Sequence, residues 1–441
     1  MVGAAGAASA ASVDYCPPLP APSGPTVLVA SVSELVGAVG SATPGTTILI
    51  ADGIYDLAGA YLRIETPSVT LRSESGDREG VILDGNYVTT EIVQITASDV
   101  TVADMTLREA YDHPIHVMST STAATDGTLI YNVHVVDPGQ QAIKINPVDS
   151  SHFVDDGVVA CSRIELTNAG RPHVRDNCYT GGVDAHAAEG WTIRDNEIEG
   201  FWCDAGLSEH AVHFWRASRG TRVERNRLRN NARGVGLGMS SDGDGRTYPD
   251  APCPSAGGAY VDHYDGDIQN NFISASDPAL FASAYGFDCG ICLWQACEAS
   301  ATHNTVHSSD TGATFSSIEW RFSRTVTTLT NNLVNHTMRE RDGATGTLDG
   351  NVTSADESWF VSAAAGDFHL QPAATAAIDQ GVATSLTTDV DGDSRPYGSG
   401  PDVGADERLP LPSLTVGDVS VLEGDEGLVT ATFTVTLSGS E

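Results

Sequence analysis

Lysine is almost missing from this chain: Lys144 is the single one, beside 22 arginines. It survives in Ala142-Ile143-Lys144-Ile145-Asn146, which reads as a strand with apolar flanks. A lysine can give up its proton where its surroundings lower its pKa, whereas arginine stays charged. Lys144 is therefore a candidate for proton chemistry, and a chance remnant of a lysine-poor composition is the bland alternative. Positive charge is scarce altogether, with 23 Lys and Arg against 58 Asp and Glu and a formal net charge of -35. That balance argues against nucleic acid and anionic membranes as partners. It would also repel an anionic substrate unless a local cationic patch or a metal intervened.

Long apolar runs are absent. No stretch approaches the ~18 residues of a membrane span, so no membrane insertion is expected. The start, Met1-Val2-Gly3-Ala4-Ala5-Gly6, has neither a charged n-region nor an apolar h-region. It reads as a mature or trimmed start of an exported protein. Aromatics are few, at 7%, while a hydrophobic fraction of 41% is that of a globular chain. Paired zinc-type CxxC motifs are also lacking, Cys289-Gly290-Ile291-Cys292 standing alone. Eight cysteines then fit disulfides in a secreted or cell-surface protein, with Cys161–Cys178 the expected bridge.

What the chain does have is a repeat. An apolar-x-x-Asn pattern recurs at Asn132, Asn177, Asn196, Asn226, Asn271, Asn304 and Asn332. The spacing is roughly 19 to 45 residues, with no helix-length periodic segment between. Short strands with turn asparagines predict an all-β solenoid, a right-handed parallel β-helix over residues 26–408, in which equivalent side chains stack at ~4.8 Å per coil. Residues 1–25 read as a disordered or linker N-terminus. An N-terminal capping helix is expected where Val32, Leu35, Val36 and Val39 share a face. A distinct closing segment runs from Asp367 to Glu407, and Leu409-Pro410-Leu411-Pro412 reads as a linker. Residues 413–441 alternate as strands but are too short to bury a core, and read as the start of a truncated β-sandwich.

Aligning the coils on the strand after each bend yields two columns on the outer face. The first stacks His116, Lys144, Asp184, His213, Gly236, Cys292 and Glu319. The second, two residues on, stacks Met118, Asn146, His186, Trp215, Gly238, Trp294 and Arg321. Acid/base groups, cations and aromatic platforms side by side suit a polysaccharide groove. The catalytic candidates are Lys144, His213, Asp184, His186, Glu209 and Arg216. The substrate-binding candidates are His116, Asn146, Trp215, Trp294, Glu319 and Arg321. Asp242 and Asp244, in Asp242-Gly243-Asp244-Gly245, could hold calcium through oxygen ligands. Asp389-Val390-Asp391-Gly392-Asp393 resembles the start of a calcium loop, with Gly400 where a closing Glu would stand.

The stretch from Val32-Ser33-Glu34-Leu35 through Pro44-Gly45-Thr46-Thr47-Ile48 to Ala51-Asp52-Gly53-Ile54-Tyr55 resembles the opening of the alginate lyase and chondroitinase B family. The resemblance implies a secreted β-helix that cleaves uronate polysaccharides by β-elimination. Ala377-Ile378-Asp379 and Asp391-Gly392-Asp393-Ser394-Arg395-Pro396 resemble the closing coil of secreted bacterial β-helix proteins. Val421-Leu422-Glu423-Gly424-Asp425 and Ala431-Thr432-Phe433-Thr434-Val435 are similar to the start of a Calx-beta domain. The lyase family sets acidic calcium ligands and a catalytic lysine in one coil and an arginine in the next. Here Glu209 matches an acidic ligand, the lysine's place falls near Arg216, and Val235-Gly236-Leu237-Gly238 offers no arginine. Lys144 lies two coils earlier, so the family's catalytic pair is not carried over.

The expected function is thus a monomeric polysaccharide lyase with calcium as a candidate cofactor. There, Lys144 or His213 would take the proton alpha to the carboxylate, and Arg216, His186 or calcium would neutralise that carboxylate. Two alternatives stay open: a glycan-binding adhesive module, and a glycoside hydrolase pairing Asp184 with Glu209 or Glu319.

Overall fold

The computed structural model describes residues 16–239, 245–250, 252–254, 260–409, 413–422, 424, 427–428 and 430–438. Three long parallel sheets, of 14, 10 and 10 strands, wind up the chain as a parallel β-helix. One coil shows the plan: Leu129–Tyr131 lies in the first sheet, His134–Val136 in the second and Gln141–Asn146 in the third. The next coil pairs Leu129 with Val158 and Val135 with Ile164 in register. Alternate residues then face inward, so Ile130, Val135, Ile143, Ile145, Val159, Ile164 and Val183 form one fully buried column-packed core.

The corner between the first and second sheets is tight, and its residues are chosen for it. Asp104, Asn132, Asp195, Arg225, Asn270, His303 and Asn331 occupy it with φ between 49° and 58°. Asn and Asp tolerate this left-handed region better than most side chains. From Asn196 onward the residue after the corner is an asparagine that belongs to a ladder. The Asn226 amide donates to Ile193 O at 2.8 Å and to Asn271 Oδ1 at 3.0 Å. Its own Oδ1 accepts from the Asn196 backbone at 3.1 Å. The pattern repeats through Asn271, Asn304, Asn332 and Asn351. Two members of the sequence pattern behave differently. Asn132 is itself a corner residue, bonded to Asp104, and Asn177 sits in an excursion outside the coil.

The N-terminal end is closed by the helix Val32–Ser41. Ser31 caps it by accepting from Glu34 N at 3.3 Å, and Glu34 reaches back to Ala30 N at 2.9 Å. Leu35 and Val39 bury against the coil core, whereas Val36, expected on the same face, is 39% exposed. Residues 16–25, the described part of the expected N-terminal segment 1–25, contact the coil. The Tyr131 hydroxyl donates to Pro17 O, and Arg72 to Pro20 O. A second core of Phe360, Phe368, Leu370, Ala374, Ala377, Val390, Val403 and Ala405 covers the other end, against Phe272 and Leu333. The Asp389 carboxylate there accepts from the backbone of Asp391, Asp393 and Glu407, so its oxygens serve the loop itself. Beyond it, Ser413–Val416 pairs antiparallel with Val435–Ser438.

Four disulfides form: Cys16–Cys161, Cys178–Cys203, Cys253–Cys297 and Cys289–Cys292. The expected Cys161–Cys178 bridge is wrong. Cys161 stands at a coil corner facing the N-terminal segment, while Cys178 lies on the excursion and meets the next one at Cys203.

Candidate active site on the third sheet

The two predicted columns are the registers of the third sheet. His116 pairs with Lys144, Lys144 with Asp184, Asp184 with His213, His213 with Gly236, Gly236 with Cys292 and Cys292 with Glu319. Their flanking residues bury in the core, so these side chains do point away from it. Pointing out is not the same as being exposed, however. Lys144 is 6% exposed, Asp184 1% and His213 0%. Segments that leave the coil cover them. Tyr179 comes from the excursion between Leu166 and Thr180, and Glu209 and His210 come from the one that follows Phe201. The Cys178–Cys203 disulfide ties the two excursions together.

Asp184 is the hub. Its Oδ2 takes the Lys144 ammonium in a close ion pair, and its Oδ1 accepts from Trp215 Nε1 at 2.9 Å. Lys144 Nζ also lies 3.2 Å from the Tyr179 hydroxyl and 2.9 Å from His186 Nε2. His186 Nε2 stands 3.3 Å from Asp184 Oδ2. Burial opposes charge on Asp184, but Lys144, His186 and His213 hold its carboxyl well below the usual range. His186 is pushed down by burial and by the Lys144 and Arg216 cations, against the pull of Asp184, so its ring is neutral at pH 7. Burial and the Asp184 carboxylate push the Tyr179 phenol up, so it keeps its proton.

Behind this group lies a second one. His213 Nδ1 is 3.1 Å from Glu209 Oε2 and 3.5 Å from Asp184 Oδ1. Burial would lower His213, but the two carboxylates outweigh it and raise it to about 9. His210 has no such pair of anions close by, and burial takes it down to about 3. His210, His213 and Asp184 are sealed from solvent and do not line the open pocket.

That pocket, about 290 Å³, is lined by Asn146, His186, Arg216 and Arg246, among others. Arg246 is spent on Asp155 at 2.8 Å and Glu189 at 3.0 Å. Arg216 is exposed, packs over Trp215 and has no carboxylate partner among the described residues. Its backbone, at φ 58°, is held by the Asp262 carboxylate, which accepts from Arg216 N at 2.9 Å. The pocket therefore carries one guanidinium without a carboxylate partner among the described residues, with the Asp149 carboxylate also on its lining.

Of the expected site residues, Asn146, His186 and Arg216 thus meet at one pocket, with Lys144, Asp184 and Trp215 directly behind. The others do not. His116 is clamped between Glu91 at 2.6 Å and Asn146 at 2.7 Å. Trp294 is buried, donating to Glu319 at 2.6 Å, and its ring sits between Arg233 and Arg321, so it offers no open platform. Arg321 pairs with Asp342. Glu319 is four rungs from Asp184, roughly 19 Å at ~4.8 Å per rung. The ~5–9.5 Å separation of glycosidase carboxylates rules that pair out. Asp242 and Asp244 lie outside the described residues. Around Asp184 the donors are mostly nitrogens, an environment that does not fit the all-oxygen shell of calcium. Tyr179 and Arg246 are the contributors that sequence reasoning missed. The long interruption of the repeat between Glu165 and Gly181 was the available signal.

No protein family matches the sequence, and neither does any curated protein. Solved structures do resemble the fold. Pectate lyase Pel9A has a TM-score of 0.57 at 13% identity, over 84% of this chain and 90% of its own. An alginate lyase from Paenibacillus sp. str. FPU-7 has a TM-score of 0.46 at 14% identity, over 74% of this chain and 99% of its own. A rhamnogalacturonan lyase has a TM-score of 0.49 at 10% identity, over 77% of this chain and 91% of its own. Of these three only the first exceeds 0.5, and at that identity it establishes the parallel β-helix fold.

Proposed function

We propose that the chain is a secreted polysaccharide lyase that cleaves a uronate polymer by β-elimination at the Asn146–His186–Arg216 pocket. One observation carries the reading: the guanidinium of Arg216, without a carboxylate partner among the described residues, opens onto the same pocket as a neutral, Asp184-anchored His186. Removing a proton alpha to a carboxylate requires that the carboxylate's charge be offset and that a base stand beside the carbon. Arg216 is placed to take the carboxylate, in the forked geometry that suits guanidinium. In the tautomer whose Nε2–H donates to Asp184, with Lys144 donating to Asp184 and Tyr179, Nδ1 is the nitrogen that accepts the proton. Lys144, enclosed by Asp184, Tyr179 and His186, acts as a positioning residue that fixes the carboxylate and keeps positive charge behind the pocket. His213 is sealed from solvent and cannot meet a polymer.

Four disulfides support an oxidising, extracellular setting. The hairpin at 413–438 is consistent with the start of a Calx-beta-like unit that would follow the lyase body. Pectate and alginate, the substrates named for similar structures, are the first polymers to try. A calcium requirement would rest on Asp242 and Asp244, so assays belong both in calcium and in chelator. Wild type should generate unsaturated uronate ends, read by their ultraviolet absorbance. His186→Ala should cut kcat by about 10²–10⁴, the usual worth of a general base. Arg216→Ala should raise KM for the anionic polymer and lower kcat as well, since the charge it offsets grows in the transition state. Binding without any product would move the reading to an adhesive module.

A further inference from the structure

The geometry points to a transition-metal site of Glu209, His210 and His213, buried behind the reaction pocket. This site stands independently of the lyase reading. Their ligand atoms lie within 4.8 Å of one another. Glu209 Oε2 is 3.1 Å from His213 Nδ1 and 3.8 Å from His210 Nδ1. Donors around a zinc ion at ~2.1 Å stand roughly 3.4 Å apart, a value that lies between these two separations.

Two further observations point the same way. Both ring nitrogens of His210 are buried without a hydrogen bond, and Glu209 Oε2 and His213 Nδ1 face each other at 3.1 Å without the alignment of one. His210 is 0% exposed, and a sealed imidazole with neither nitrogen bonded is a costly arrangement that a cation would relieve. The coil also makes room for this ring. A Cβ on Gly236 would come within 2.6 to 2.7 Å of the His210 imidazole, so only glycine lets His210 fill that gap in the column. Two imidazoles and one carboxylate suit zinc or cobalt and not calcium.

With both imidazoles fully buried, the ion would be structural. It would pin the excursion carrying Glu209 and His210 to the strand Val212–Trp215, whose Trp215 bonds Asp184. The rival ligand set is His210 with Cys289 and Cys292, whose sulfurs are joined as a disulfide.

The test strips the purified full chain with EDTA, exchanges it into metal-free buffer, and titrates it with CoCl₂, then ZnCl₂. We expect one Co²⁺ per chain with tetrahedral-type visible bands, displaced by Zn²⁺ and untouched by Ca²⁺. Zn²⁺ should raise the Tm of the stripped protein. His210→Ala and Glu209→Gln should each weaken Co²⁺ binding by roughly tenfold or more. Cys289→Ser/Cys292→Ser should leave it intact. Circular dichroism in EDTA checks that each variant is folded, and Glu209→Gln, which keeps the side chain's shape, carries the test should His210→Ala not fold. Folded wild type that takes up no Co²⁺ or Zn²⁺ overturns the site. So does binding that survives Glu209→Gln but is lost in the cysteine double variant.

Discussion

Two columns of polar side chains run along this coil, and they differ in one respect. In the asparagine ladder at the first corner, each amide donates to a backbone carbonyl and to the next amide, and each Oδ1 accepts from the coil before. It is a closed system, in which every buried group is satisfied by its own kind. Around the third sheet, Asp184, Lys144, His210 and His213 are as buried and His186 nearly so, but the set is not closed. Among the described residues Arg216 lacks a carboxylate partner, and four nitrogen and oxygen atoms at His210, Glu209 and His213 lack a hydrogen bond. A structural column completes itself, while a functional one leaves valences for something that comes from outside.

Breaking the second column should have the largest effect. Lys144→Met strands the Asp184 carboxylate in a sealed site, and losing one member of a buried pair costs about 3–5 kcal/mol. It should also abolish product formation, whereas the same probe at the ladder should not. Next comes the covering layer. Cys178→Ser/Cys203→Ser opens a loop of 25 residues, worth about 3 kcal/mol by chain entropy. Its activity loss should exceed that of any ladder change of equal Tm. Asn271→Ala removes one rung and leaves neighbouring groups unpaired, at about 1–3 kcal/mol. The Tm should fall while kcat/KM at a permissive temperature stays within twofold of wild type, roughly the noise of a change away from the site.

The smallest effect belongs to the closing segment. Despite the opposing effect of burial, hydrogen bonds to Asp391 and Asp367 raise His369 to about 9, and burial raises Asp406 to about 7. Both folded values lie above the unfolded ones. Each group's contribution is therefore complete at lower pH and is lost as pH rises through about 7 for Asp406 and about 9 for His369. Limited proteolysis between residues 355 and 408 should become easier from pH 6 to pH 10, and His369→Asn should flatten that dependence.

The strands and their register could be read from the sequence because they depend on local alternation. Ile143 and Ile145 fix which way Lys144 faces, and the same logic holds for Asp184 and His213. The corner asparagines were legible for the same reason, apart from Asn132 and Asn177. What could not be read was cover. Whether an outward His213 or Trp294 meets solvent depends on segments that leave the coil and return over it, and alternation carries no trace of those. Tyr179 and His210 come from such segments, and the bridge that fixes them, Cys178–Cys203, could not be chosen from spacing alone.

The most direct measurement is the mass of the products released by wild type from a uronate polymer. Elimination leaves one end unsaturated, so each such fragment should be lighter by one water than its hydrolytic counterpart. That result, lost in His186→Ala, is what this site predicts. Saturated fragments only, or full activity in His186→Ala, would contradict it.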